Sequence, residues 1–92
     1  LSAHFEAFVK VKNKLGLHVR PASTIAKILQ KRNAKVLLTY KGETVNARSI
    51  MSIMILAAPK NAQLKITAEG SDAEETLKEL LFAFENRFGE EG

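Results

Sequence analysis

Three stretches of the chain alternate between apolar and polar residues, and the segments between them repeat at helical spacing. From Phe5 to Lys12, Ala7, Val9 and Val11 fall on one side and Lys10 and Lys12 on the other, the period-two pattern of a half-buried strand. Lys35–Tyr40 repeats the pattern, with Val36 and Leu38 inward and Tyr40 ending the row, and Gln63–Ala68 repeats it with Leu64, Ile66 and Ala68 inward. Lys41-Gly42 reads as a tight turn into a short strand, Glu43–Asn46, which closes a hairpin. Ala22, Ile25, Ala26 and Leu29 predict a helix from Pro21 to Arg32, with proline at the first helical position, where its missing N–H is no loss. Ser49 opens a short apolar helix that stops before Pro59. The last helix starts at Ser71-Asp72-Ala73-Glu74, which fits a capping box. It carries Leu77, Leu80, Leu81, Phe84 and Phe88 as one stripe, and Gly89 reads as its stop.

The order is therefore β-α-β-β-α-β-α. Strands with one apolar face need their helices on that face alone, so the expected fold is α+β: an open-faced β-sandwich, a four-stranded antiparallel sheet with three helices on one side. Ninety-two residues without a linker, repeat or low-complexity stretch make a single domain, 1–92. Glu90-Glu91-Gly92 reads as a solvated tail.

Composition narrows the function. There is no cysteine, which excludes a disulfide, a thiolate metal site and a thiol nucleophile; neither metal nor cofactor is expected. No apolar run approaches a membrane span and the N-terminal residues lack a signal-peptide layout, so the expectation is a cytoplasmic monomer that does not insert into a membrane. The net charge of +4 is unevenly spread: from Lys10 to Lys41 there are nine Lys/Arg and no acid, whereas acids dominate from Glu69 onward. That polarity predicts an acidic partner for the basic half.

The candidate chemistry lies in Gly16-Leu17-His18-Val19-Arg20-Pro21-Ala22-Ser23, which sets a histidine and an arginine in a loop just before a helix. A helix start gathers unpaired N–H groups and the positive end of the macrodipole. Neutral imidazole can attack a phosphoryl donor and carry the group, and a guanidinium forks onto phosphate oxygens. Ser23 and Thr24 read as ordinary first-turn residues, and His4 has no motif around it. Ser49 reads as an N-cap. The segment after it, Ile50–Ala58, is apolar at almost every position, more than one buried stripe requires, so part of it should face a partner.

Gly16–Ala22 resembles the active-site loop of the bacterial histidine-containing phosphocarrier HPr. Val45–Met54 resembles the regulatory-serine region of the same family, in the family's order and spacing. The resemblance extends over nearly the whole chain. It implies the same open-faced fold and a phosphoryl carrier rather than an enzyme. His18 would accept the group at Nδ1 from enzyme I, charged by phosphoenolpyruvate, with Arg20 stabilising it, and would pass it to an enzyme IIA domain of a sugar transport system. It further implies phosphorylation of Ser49 by the ATP-dependent HPr kinase/phosphorylase, with a transcriptional regulator as a partner of that form. Ile50, Met51 and Met54 match the exposed docking patch, and Ile53 and Leu56 match core. Val19 departs from the family's usual alanine and places a β-branched residue in the loop; Ser52, Ala57 and Asn61 stand where glycine is common, and Pro59 is unusual.

Three other readings compete. A regulatory HPr-like phosphorelay protein would need no sugar transport. A small basic nucleic-acid-binding module would use the lysine-rich strands, but Phe8 is the lone aromatic candidate for base stacking on the open sheet face, so no nucleic-acid partner is expected. An acylphosphatase-type enzyme would need an arginine-bearing phosphate loop where this chain has a histidine.

Overall fold

In the computed structural model, which describes residues 3–92, the chain runs β1 (Ala3–Lys10), α1 (Val19–Gln30), β2 (Lys35–Tyr40), β3 (Glu43–Asn46), α2 (Ile50–Ile55), β4 (Gln63–Gly70) and α3 (Ala73–Glu85), followed by one 3-10 turn, Arg87–Gly89. The strands form one sheet in the order β1-β4-β2-β3 with every neighbouring pair antiparallel. The register follows the apolar rows: Val9 pairs with Leu64, Ala7 and Leu38 flank Ile66, and Val36 pairs with Ala68. These side chains share one face with Ile25, Leu29, Ile53, Leu77, Leu80 and Phe84, and together they form the core. The other face is open, with Phe8 66% exposed.

The β2–β3 hairpin turns at Lys41-Gly42 with φ of 49° and 82°, the pair of left-handed residues that matches strand twist in a two-residue turn. Helix α3 lies over β1 and β4, while α1 packs against both α2 and α3. Arg32 donates to Glu79 Oε1 at 2.7 Å, joining the end of α1 to the middle of α3. Among the described residues, no helix is long and apolar enough to cross a membrane.

The expected order of elements is found, and several boundaries move, among them the ends of β1 at Lys10 and not Lys12 and of α1 at Gln30 and not Arg32. Strand β1 begins at Ala3 and β4 runs on to Gly70, because Ala3 pairs with Gly70 and the ladder stays closed to its end. Helix α1 begins at Val19, two residues before the proline, so Pro21 is its third residue; the lost N–H there is still among those without an intrahelical acceptor. The capping box does not form. Asp72 is the N-cap of α3, but its Oδ2 accepts instead from the backbone N–H of Asn33 at 2.9 Å, a tertiary bond that ties the α1–β2 connection to the helix start. Finally, α3 ends at Glu85, and Phe88 lies beyond it in the turn with φ 53°. The Phe88 ring still meets Phe84 edge-on at 4.8 Å between centroids, which is why it continues the stripe by spacing.

Candidate functional site

The segment between β1 and α1 is a tight loop pinned from both sides. Asn13 is fully buried and its Nδ2 donates to Gly16 O at 2.6 Å, while Gly16 N–H donates to Asn13 O at 3.2 Å. Gly16 has φ +71°, and a Cβ there would lie 2.5 Å from Ala58 O. Glycine is what lets the loop lie against Ala58-Pro59, where Leu17 N–H donates to Ala58 O at 2.9 Å. The buried Leu17 side chain anchors this contact, and the next residue is His18.

His18 is the N-cap of α1, with extended backbone (φ −82°, ψ −169°) and no side-chain capping bond. Its imidazole is therefore not spent on the helix. The first intrahelical bond runs from Ala22 N–H to His18 O, so the N–H groups of Val19 and Arg20 precede the ladder at the positive end of a 12-residue helix. No acidic side chain of α1 sits in that first turn. Arg20 points its side chain to solvent, 81% exposed. Val19 occupies the first helical position and is 54% exposed, so the extra β-branched bulk points outward and does not crowd the loop. Thr24 donates its hydroxyl to Arg20 O at 3.2 Å, a local backbone bond, while Ser23 is half-buried.

One carboxylate enters from the far end of the chain, and it corrects the expectation of a solvated tail. Glu90 Oε1 lies 2.9 Å from His18 Nε2 and accepts from Asn13 Nδ2 at 3.1 Å, while its Oε2 stands 4.0 Å from Arg20 Nε. The Glu90 side chain is only 15% exposed, and that of His18 is 29% exposed. Lys14 N–H donates to Glu91 O at 2.9 Å and fastens the tail alongside. Asn13 and Glu90 were not legible as site residues: nothing in local pattern says that the chain end returns to a loop more than seventy positions earlier. His4 lies away from this arrangement, exposed and 3.6 Å from Glu6.

The second candidate region begins at Asn46. Its Oδ1 accepts from Arg48 N–H at 2.9 Å and its backbone O accepts from Ser49 N–H at 3.1 Å, a side-chain and backbone turn that sets Ser49 as the N-cap of α2. Ser49 Oγ accepts from Ser52 N–H at 3.2 Å. Arg48, adjacent to Ser49 in sequence, is held away from it. Its guanidinium donates to Leu29 O, Arg32 O and Ala34 O at 2.7 to 3.0 Å, closing off the carbonyl end of α1. Within α2, Ile53 is buried and Ile50 half-buried against the core, while Met51 (74%), Met54 (43%) and Ile55 (63%) are exposed. Met54 shares a groove with His18, Leu15, Leu17 and Pro59, so the apolar surface of α2 runs up to the imidazole.

Known proteins share this fold. The family model described as the PTS HPr component phosphorylation site matches residues 5–86. The phosphocarrier protein HPr of Chlamydia trachomatis is 40% identical over 84 residues, 91% of this chain and 77% of that one. Among solved structures, HPr-C-His from Thermoanaerobacter tengcongensis superposes with a TM-score of 0.91 at 39% identity, over 96% of this chain and 99% of that one. A phosphocarrier protein HPr from Bacillus anthracis gives a TM-score of 0.84 at 40% identity, over 89% and 98% respectively.

Proposed function

The chain belongs to the HPr family, the phosphocarrier proteins of the phosphotransferase system, and from that premise we propose that His18 takes a phosphoryl group from phosphorylated enzyme I and hands it to enzyme IIA domains of sugar transport systems. The observation that carries this reading is the standing of His18 as a non-capping N-cap, its imidazole at the positive end of α1 but not spent on capping it, with Arg20 two residues on in the first turn. Imidazole nitrogen forms the bond to phosphorus. The N–H groups of Val19 and Arg20 and the exposed Arg20 guanidinium receive the equatorial oxygens, where negative charge is spread during transfer. Phosphoimidazole is a good leaving group, so the site suits relay and not storage.

Ser49 is the regulatory position in this proposal, a substrate for HPr kinase/phosphorylase. Its hydroxyl sits at the start of α2 beside exposed Met51, so a phosphate there changes the surface that partners must cover and leaves the imidazole untouched. A transcriptional regulator that reads the modified serine belongs to the same reading. Met51, Met54 and half-buried Ile50 provide the apolar docking surface for enzyme I and enzyme IIA.

Intact-mass measurement after incubation with enzyme I and phosphoenolpyruvate tests the carrier role. One added phosphate, lost on mild acid treatment and absent from His18→Ala, is the expected result. Full phosphorylation of His18→Ala, or none of the native chain with an enzyme I of proven activity, overturns it.

A further inference from the structure

Resting on the carrier reading, we infer that Glu90 is a positioning residue for phosphoryl transfer: by accepting a hydrogen bond from the Nε2–H of His18 it holds the ring with Nδ1 as the nucleophile and balances the charge the ring acquires. The 2.9 Å contact between Oε1 and Nε2 requires a proton between two atoms that would otherwise both be acceptors, so Nε2 carries it and the lone pair falls on Nδ1. Among the described residues, the hydrogen bond to Glu90 is the only one made by the His18 side chain. The same Oε1 accepts from buried Asn13, which fixes the carboxylate independently of the histidine.

The backbone is shaped to deliver it. Arg87, Phe88 and Gly89 have φ of 56°, 53° and 79°, three successive left-handed residues that turn the chain back from the end of α3. Two of the three are not glycine, and a non-glycine residue in that region costs about 1 kcal/mol or more. Phe88 on Phe84, and Glu91 O on Lys14 N–H, hold the turn in place. A solvated tail would have no reason to keep such a conformation.

Transfer then balances as follows. The Nδ1 lone pair forms a bond to phosphorus while the P–N bond of a phosphohistidine donor breaks, and its electron pair returns to the donor's nitrogen. Nε2 keeps its proton throughout. The product ring, substituted at Nδ1 and protonated at Nε2, carries a positive charge that the Glu90 carboxylate faces directly. In the onward step the same ring leaves with its electron pair and is neutral again.

Three chains, native, Glu90→Gln and Glu90→Ala, are compared for the rate of phosphorylation by phosphorylated enzyme I and for the ring N–H proton of His18 in NMR spectra. Loss of a charge-assisted bond at a partly exposed site corresponds to a slowing of about tenfold for Glu90→Ala. Glu90→Gln, which keeps an acceptor oxygen but no charge, falls between. The protected Nε2–H resonance is present in the native chain and in Glu90→Gln and absent from Glu90→Ala. A Glu90→Ala protein that accepts phosphate as fast as the native chain, or faster because an obstructing anion has gone, refutes the inference; so does a resonance that survives in it. A native chain that takes no phosphate refutes the carrier reading and this role with it, whereas equal rates in all three refute only the role of Glu90.

Discussion

Replacing Gly16 by alanine tests whether the His18 loop is held by close backbone contact or merely by its position between β1 and α1. Two costs add. At φ +71° an alanine is disfavoured by about 1 kcal/mol relative to glycine. The new Cβ would also lie 2.5 Å from Ala58 O and 3.0 Å from Pro59 Cα, both backbone atoms with no flexible end to swing aside. Relief requires the loop to move off Ala58, which breaks the Leu17 N–H bond to Ala58 O. Leaving that pair unsatisfied beside buried Leu17 costs about 1–3 kcal/mol. The expected loss is about 2–4 kcal/mol in urea unfolding at unchanged slope, within the stability of an ordinary small domain. Gly42→Ala is the internal control: its φ is +82° but nothing lies within 4 Å of the new carbon, so only the conformational cost of about 1 kcal/mol applies. The Gly16 variant, still folded, should also accept phosphate more slowly, since His18 follows the displaced loop. Equal losses for the two substitutions would mean that the Ala58 contact yields freely, and the account of how His18 is placed would be wrong.

Other outcomes follow from single contacts. Ala57 has φ 52°, so Ala57→Gly should raise stability by about 0.5–1 kcal/mol, read as a higher urea midpoint. Arg48→Met removes three bonds to the carbonyls of Leu29, Arg32 and Ala34; a loss of about 2 kcal/mol is expected, with Arg48→Lys recovering part of it because one ammonium cannot span all three. Met51→Asp should leave the unfolding midpoint within about 0.5 kcal/mol of native, since the side chain is 74% exposed, yet weaken enzyme I binding in calorimetry.

Elements whose stability is local were legible in the sequence, and those fixed by distant partners were not. The rows Val36–Leu38 and Leu64–Ile66–Ala68 announce a sheet with one buried face because a one-residue slip would expose every member. Lys41-Gly42 announces its turn for a similarly local reason, and the His18–Arg20 pair stands out because its chemistry is unusual at a helix start. The ends of elements depend on where other segments lie. Ser71-Asp72-Ala73-Glu74 has the composition of a capping box, but the Asp72 carboxylate is drawn to Asn33 N–H across the fold. Arg48 adjoins Ser49 in sequence but reaches back to the end of α1. Glu90 is the extreme case, a residue whose surroundings are set wholly by the return of the chain onto the β1–α1 loop.

The same geometry decides how a negative charge at Ser49 should act. Ser49 caps α2 and Arg48 is held by α1 carbonyls, so the adjacent guanidinium is not free to neutralise an added charge, and the groove that holds the imidazole and Met54 is not lined by Ser49. A charge at the N-terminus of a helix is tolerated by the helix itself, so Ser49→Asp should unfold within about 1 kcal/mol of native. Its effect should fall on docking. The half of the sequence that carries His18 is basic and suits an acidic partner, and an added negative charge beside exposed Met51 both opposes that attraction and leaves a polar group in an otherwise apolar contact. Transfer from enzyme I should therefore lose at least about tenfold at low carrier concentration, converge toward the native rate at saturation, and lose less at high salt, where the opposed charges are screened. Stopped-flow rates over a range of carrier concentrations at two ionic strengths separate the terms. A Ser49→Asp protein with unchanged half-saturation but a depressed plateau would show that charge acting on the imidazole and not on the approach of its partner.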